Sequence, residues 1–406
     1  MLKLRRAIVV DSETPAGEQR LTIELSDAPG VHRAAIADVG LVGRAERGDE
    51  LIVNVEALER GLGSGGFDIV HVNLTRGLTA RATGRANVMK LNYTSLQHTV
   101  SPVEEQGGEA GEGEGALGLP LERPVGVLAL HGQLAAVAWA FAQGGPGRRL
   151  GYVQTAGGAL PGGHSQTVRE LGERGLLAGH LTAGAAFGGE GEAMTTAGAL
   201  HHGLRELGWD AAICGPGPGI VGSGSALGHG GMAALDSAHA ALALGASTLI
   251  VARMSSGDER TRHRGISHHT LTVLDLLLEP VTVALPAGMR SPVGSDLRAG
   301  LGSVFSGGPG GVGGPGTSAG TGAGTTEGRR AQALEVERPV RITRHDWRRA
   351  SVDLPAYAAS GLPAMTMGRT IAQDPLFFGA ALAGGGVLGE LMAQAGGGES
   401  ASGAAA

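Results

Sequence analysis

The densest cluster of groups able to do chemistry is the segment Asp258-Glu259-Arg260-Thr261-Arg262-His263-Arg264-Gly265-Ile266-Ser267-His268-His269. Arg260, Arg262 and Arg264 offer planar, permanently charged donors of the kind that hold carboxylate or phosphate. Ser267 has the type and position of a helix N-cap. The helix after it would then present unpaired N–H groups and a positive dipole end beside the arginines. These features together point to an anion site. The histidines leave three readings open: a metal ligand, an acid or base at His263 or His268, or a hydrogen bond within the loop. Neighbouring helical residues point in different directions, so His268 and His269 are not expected to ligate one ion. No metal and no cofactor is assigned.

A second candidate is the loop holding Gly217, Gly219, Gly222, Ser223, Gly224 and Ser225. Its glycines fit G-x-G-x-x-G and follow an apolar strand, which raises an NAD(P)-type oxidoreductase. The fit is incomplete, because the next helix starts only near Gly230 and no acidic residue ends a following strand. A phosphate-binding P-loop is excluded, since lysine occurs only at Lys3 and Lys90. What stays is a loop whose backbone N–H groups can approach a ligand, with Ser223 and Ser225 as hydroxyl donors. Glu190 adds a carboxylate, which the start of a helix would explain equally well, and His164 is a further candidate acid or base. His201 and His202, within a helical stretch, read as ordinary surface or packing residues.

The elements that must position these groups are legible as an alternation. Apolar runs at Val125 to Leu130, Leu150 to Thr155, His180 to Ala185, Asp210 to Gly215, Thr248 to Met254 and Val281 to Leu285 alternate with helical stretches. Strand, helix, strand at this spacing predicts right-handed crossovers, hence a parallel Rossmann-like sheet with helices on both faces. The polar, glycine-rich loops all follow strands, so they converge on the carboxyl edge, where such sheets bind ligands. Before this α/β domain, β-rich runs at Arg6 to Val10, Gln19 to Leu25, Glu50 to Val55 and Phe67 to Leu74 predict a small N-terminal antiparallel β-barrel. The glycines at 61, 63, 65 and 66 suit a barrel corner better than an anion cradle.

These breaks divide the chain into a barrel over 1–100, an acidic Gly-rich linker over 101–120, an α/β domain over 121–395 and a tail over 396–406. A Gly-rich insertion at 303–328 interrupts the α/β domain, and neither it nor the linker carries enough apolar residues to bury. Length and composition agree: 406 residues with 42% hydrophobic and 17% charged side chains suit a folded chain of two domains. A single cysteine, Cys214, excludes an internal disulfide and a cysteine-based zinc cluster. A net charge of -6 argues against nucleic acid as a partner. No run resembles a signal peptide or reaches the length of a membrane span, so a cytoplasmic protein is expected, with a homo-oligomer as one further expectation.

Six segments carry a resemblance. They are Gly61-Leu62-Gly63-Ser64-Gly65-Gly66-Phe67, Met89-Lys90-Leu91, Ala186-Phe187-Gly188-Gly189-Glu190, Gly217-Pro218-Gly219-Ile220-Val221-Gly222-Ser223-Gly224, Arg262 through Thr270, and Thr366-Met367-Gly368-Arg369. In these the chain resembles a bacterial family, common in actinobacteria, catalogued as domain of unknown function family 3866. The family pattern usually has aspartate where Glu190 stands and threonines where Ser223 and Ser225 stand. The resemblance implies no activity. The residues themselves imply an enzyme or enzyme-like binder of a small anionic ligand, phosphorylated or nucleotide-like, with a noncatalytic metabolite sensor or assembly protein as the rival.

Overall fold

The computed structural model describes residues 2–13, 17–62, 65–79, 86–105, 117–223, 225–288 and 341–402. The expected insertion at 303–328 and most of the expected linker lie outside the described residues, as do Gly63 and Gly224.

Five strands form the barrel: β1 (Leu4–Ser12), β2 (Glu18–Leu25), β3 (His32–Asp38), β4 (Glu50–Asn54) and β5 (Asp68–Asn73), closed in the order β1-β2-β3-β5-β4. Alternation turns Ala7, Val9, Leu21, Ile23, Leu51 and Val53 into its core. One ladder corrects the expected antiparallel pattern, because β3 and β5 run parallel. The sequence reading also passed over β3, whose Ala34, Ala35 and Ala37 have little intrinsic strand preference. After the barrel, β6 (Val88–Lys90) and β7 (His98–Val100) pair antiparallel.

The expected parallel sheet is present. Its strands are β8 (Pro124–Leu128), β9 (Leu150–Thr155), β10 (Gly179–Ala183), β11 (Gly191–Ala193), β12 (Ala211–Pro216), β13 (Ser247–Val251), β16 (Thr282–Pro286) and β17 (Asp346–Ala350), in the order β11-β10-β9-β12-β8-β13-β16-β17. The short strands β14 (Met254–Ser255) and β15 (Gly265–Ile266) pair with each other instead. The two strands not expected, β11 and β17, are the sheet's edges. Edge strands need no continuous apolar run, so Gly-Glu-Ala and Asp-Trp-Arg-Arg-Ala carry no strong signal.

Helices α1 (Leu134–Ala142), α2 (Gln166–Glu173), α3 (Thr196–His201), α4 (Ala233–Ala243) and α5 (His268–Leu276) stand where the alternation placed them. Ser165, Thr195 and Ser267 cap α2, α3 and α5 through their hydroxyls. A π-helical turn over His202–Glu206 extends α3. Beside it Trp209, fully buried, occupies the space a Cβ on Gly203 would need, 2.4 Å from its ring.

The last helix, α6 (Pro375–Ser402), was not anticipated, and it runs past Gly396, where a loose tail was expected. Three consecutive glycines, Gly384 to Gly386, hide its helical pattern, yet two of them explain its packing. A Cβ on Gly385 would lie 2.3 Å from the Val137 carbonyl oxygen of α1, and one on Gly384 2.8 Å from Val251 of β13. The missing side chains let α6 press directly onto helix and sheet. Residues Pro375–Ala395 are long and apolar enough to cross a membrane, but 78% of that apolar window is buried in the fold. It is therefore a core helix.

The chain divides into two compact units. One comprises Met1–Leu121, Arg149–Ser223 and His229–Ala233; the other comprises Glu122–Arg148, Gly224–Gly228 and Ala234–Ala406. The barrel thus shares a unit with β9 to β12 rather than forming a domain of its own.

Candidate functional site

In the second unit the chain leaves β13 at Arg253, makes an excursion and returns at Ser267 to start α5. The ladder Met254↔Ile266 and Ser255↔Gly265 closes the excursion at its base. Two further bonds fasten it: Ser267 N–H to the Arg253 carbonyl at 2.9 Å, and Arg253 N–H to Thr270 Oγ1 at 2.9 Å. The arginines and histidines singled out by the sequence are therefore carried on a tied loop at the carboxyl end of a parallel strand.

Asp258 is the electrostatic centre of that loop. Buried at 2% exposure, it accepts two hydrogen bonds from the Arg260 guanidinium, Nε to Oδ1 and Nη2 to Oδ2, each 3.0 Å. Arg253 Nη2 also reaches Asp258, at 3.4 Å, and Arg369 Nη2 lies 3.6 Å away. Burial alone would raise the Asp258 carboxyl, but the hydrogen bonds and charge of Arg260 outweigh it and hold the carboxyl well below the carboxylate range. Arg253 is itself buried and surrounded by cations. Burial, together with Arg260 and Arg369 and against the pull of Asp258, pushes it down to about 10. A second buried carboxylate, Asp374, accepts from Ser255 Oγ at 2.6 Å, from Ser256 N–H at 2.8 Å and from Arg369 Nε at 3.0 Å. This ties the loop to the start of α6. Arg264 donates Nε to the Asp258 carbonyl at 2.8 Å, and Arg262 is exposed.

The histidines lie beside this network. His263 ends a 3-10 turn and is 1% exposed, while His268 and His269 open α5 and are half-buried. The three rings touch, with centroids 4.9 Å apart for His263–His268, 4.9 Å for His263–His269 and 4.2 Å for His268–His269. The expected divergence of His268 and His269 does not occur. At the first turn of a helix the rings need not spread around the axis, and both fold back toward the excursion. His263 Nδ1 lies 2.8 Å from Ser267 Oγ, and Arg253 Nη1 donates to His269 Nδ1 at 3.0 Å. Burial first, then Arg253 and Arg260, push His263 down to about 3, so its ring is neutral near pH 7.

The other described residues singled out fall in the first unit, apart from Ser225. There the loop after β12 lies against the loop after β9: Ala159 N–H bonds the Pro218 carbonyl at 2.7 Å, and Val221 N–H bonds that of Gly157 at 3.3 Å. A Cβ on Gly217 would stand 2.2 Å from the Ala159 carbonyl oxygen. Close backbone approach therefore accounts for Gly217 without a dinucleotide. Gly219 has φ +67°, and Gly222 bridges to His229. Ser223 is exposed, and Ser225 Oγ accepts from Gly228 N–H at 2.9 Å.

Glu190 borders a cleft of about 390 Å³ with Gly162, Arg169, His180, Gly188 and Gly189, and its Oε2 accepts from His180 N–H at 3.3 Å. Its neighbour Glu192 is a structural anchor. Glu192 Oε2 accepts from Lys90 Nζ at 2.6 Å and from Thr182 Oγ1 at 2.7 Å. Lys90, 2% exposed, spends its other donors on the Thr182 and Ala186 carbonyls at 3.1 and 2.6 Å. His164, whose proton affinity is lowered by burial against the opposing charges of Glu18 and Asp38, belongs to this unit and not to the one holding His263 and His268.

The sequence reading missed Arg253, Asp374 and Lys90 as charged groups buried in working networks. Arg253 was absorbed into an apolar strand run, and Asp374 stands more than a hundred positions from its partners Ser255 and Ser256. Lys90 and Arg369 did appear in motifs of the resemblance, without roles.

No curated protein and no solved structure matches this chain. One family model does, described as Protein of unknown function (DUF3866), and its match spans residues 34–385, most of the chain. That span takes in the barrel from β3 onward, the Lys90 anchor, the excursion after β13 and the start of α6, so the chain belongs to the DUF3866 family.

Proposed function

We propose that the protein binds a small anionic ligand of the phosphate type at the excursion between Arg253 and His269. One observation carries this reading: three guanidinium groups, of Arg253, Arg260 and Arg369, share the single carboxylate of Asp258, and Arg253 is buried among them. Asp374 pairs with Arg369 and adds a second, more distant negative charge to Arg253. The exposed Arg262 and Arg264 add positive charge opposed locally by Glu259. An incoming anion would gain charge-assisted hydrogen bonds on the order of 1.5–3 kcal/mol apiece. The excursion also follows a parallel strand and precedes the first turn of α5, whose dipole favours negative charge.

Chemistry on the ligand would require an acid or base. His268 and His269 are the half-buried candidates, whereas the depressed proton affinity of His263 makes it a poor base near neutrality. A noncatalytic sensor needs only the affinity. The test is calorimetric titration of the full chain with phosphate, sulfate and a nucleotide in buffer containing EDTA, repeated with Arg264→Ala and Arg262→Ala. Binding weakened by about tenfold in either variant is the expected outcome. If no anion binds the wild type and either variant melts lower in plain buffer, the arginines serve stability alone and the proposal fails.

A further inference from the structure

The histidine cluster has a property that the arginine network does not explain. His263 is 1% exposed, and its Nδ1 is engaged 2.8 Å from Ser267 Oγ, but its Nε2 is buried with no hydrogen-bond partner among the described residues. Leaving such a nitrogen unsatisfied forfeits its hydration with nothing in exchange. Packing of three rings against one another does not recover that cost, because an imidazole edge is polar. The ring is also held as metal-binding histidines are held, one nitrogen fixed by an outer partner and the other left for a ligand. The cluster then supplies companions: one ring nitrogen each of His263, His268 and His269 lies within 4.8 Å of the other two.

We propose that His263, His268 and His269 bind a divalent transition-metal ion of the zinc type, anchored by His263 Nε2. Metal–nitrogen bonds of about 2.0–2.1 Å in a tetrahedral shell put the nitrogens about 3.4 Å apart. The separations, all within 4.8 Å, exceed this by at most about 1.4 Å, which side-chain rotations of the half-buried His268 and His269 supply. Neutral imidazole is the ligating form.

Arg253 is the competitor. Its Nη1 donates to His269 Nδ1 at 3.0 Å, which puts the proton of a neutral His269 on Nε2. For His269 to ligate, either that proton leaves or Arg253 gives up Nδ1. His263 and His268 are therefore the primary pair and His269 joins by exchange. The nearby guanidinium charge acts against a bare cation, and Asp258 and Asp374 partly offset it. Three protein ligands leave a coordination position open, as in catalytic rather than structural zinc sites. This inference goes beyond the anion reading and rests on a different observation.

The experiment uses the full chain, treated with chelator and exchanged into phosphate-free buffer. Cobalt(II) is titrated while visible d–d absorption is followed, and zinc(II) is titrated by calorimetry. The wild type is expected to take up one ion per chain with the absorption of a low-coordinate site. His263→Ala should weaken uptake by about tenfold or more, and His32→Ala, an exposed barrel residue, should leave it unchanged. Should His263→Ala fail to fold, His268→Gln is read in its place and must show the same loss. No uptake by the wild type, or uptake that the His263 and His268 substitutions leave intact, overturns the proposal. Anion titrations in EDTA are a separate readout, so the metal site and the anion site can fail independently.

Discussion

Asp258→Asn is the substitution that tests the arginine network most directly, since it keeps the shape of the side chain and removes the charge that three guanidinium groups share. The contributions are unequal. Arg260 is half-exposed, at 52% of its side chain, and an ion pair of that kind contributes about 0–1 kcal/mol. Arg253 is 3% exposed, and removing one partner of a buried pair costs about 3–5 kcal/mol. Its 3.4 Å contact with Asp258 and its remaining bond to His269 place the loss at the low end, about 3 kcal/mol. At roughly 2–4 °C per kcal/mol for domains of 150–250 residues, the melting midpoint should fall by roughly 6–12 °C. The carboxyl is held below its unfolded value. Its contribution is therefore full above about pH 4 and is lost as pH falls further, so wild type and variant should converge in acid. Differential scanning calorimetry at pH 7 and at pH 3 measures both effects. Added phosphate should raise the midpoint of the variant more than that of the wild type, because the vacated charge is what an anion can replace. A drop of less than about 2 °C at pH 7 would mean that Asp258 is not the centre of the network and would remove the basis of the anion proposal.

Three further outcomes follow from the geometry. Lys90→Met leaves the half-buried Glu192 beside Thr182 without its cation, and should lower the stability of the first unit by about 3 kcal/mol in chemical denaturation; Lys90→Met combined with Glu192→Gln should recover part of that loss. Gly385→Val forces a side chain into the contact between α6 and the Val137 carbonyl and should cost at least about 1–3 kcal/mol, read as a lower melting midpoint, whereas an exposed glycine such as Gly172, with open space around it, should tolerate alanine. His345 accepts from Val281 N–H at 3.2 Å through Nδ1 and donates Nε2 to the Leu274 carbonyl at 2.9 Å, so protonation would set N–H against N–H. Burial lowers its proton affinity, so its contribution is full above about pH 6.5 and is lost as pH falls below; the wild type should lose more stability between pH 7.5 and 5.5 than His345→Gln does.

Six of the eight sheet strands were legible, each a short apolar run followed by polar, glycine-rich residues, because strands buried on both faces must be apolar along their length. The loop order, the N-cap Ser267 and the density of charge around Arg260 were legible for the same local reason. What failed to show is equally specific. Strand β3 is rich in alanine, β11 and β17 are edges without an apolar run, and α6 contains a glycine triplet that resembles the glycine abundant elsewhere in the chain.

The sequence by itself determined which residues travel together: the arginines and histidines between Asp258 and His269 lie within one stretch of twelve residues, and a strand before them and a capped helix after them follow from pattern alone. Only the tertiary structure decided what those residues do for one another. Arg253 pairs with Asp258 because β14 and β15 close the excursion, Asp374 reaches Ser255 because α6 begins beneath the loop, and Gly217 is glycine because the Ala159 carbonyl occupies the place of its side chain. These are contacts between segments distant in the chain or set by the closing of a loop. Local periodicity carries no record of them, since they depend on which backbone comes within 3 Å of which side chain after the elements have packed.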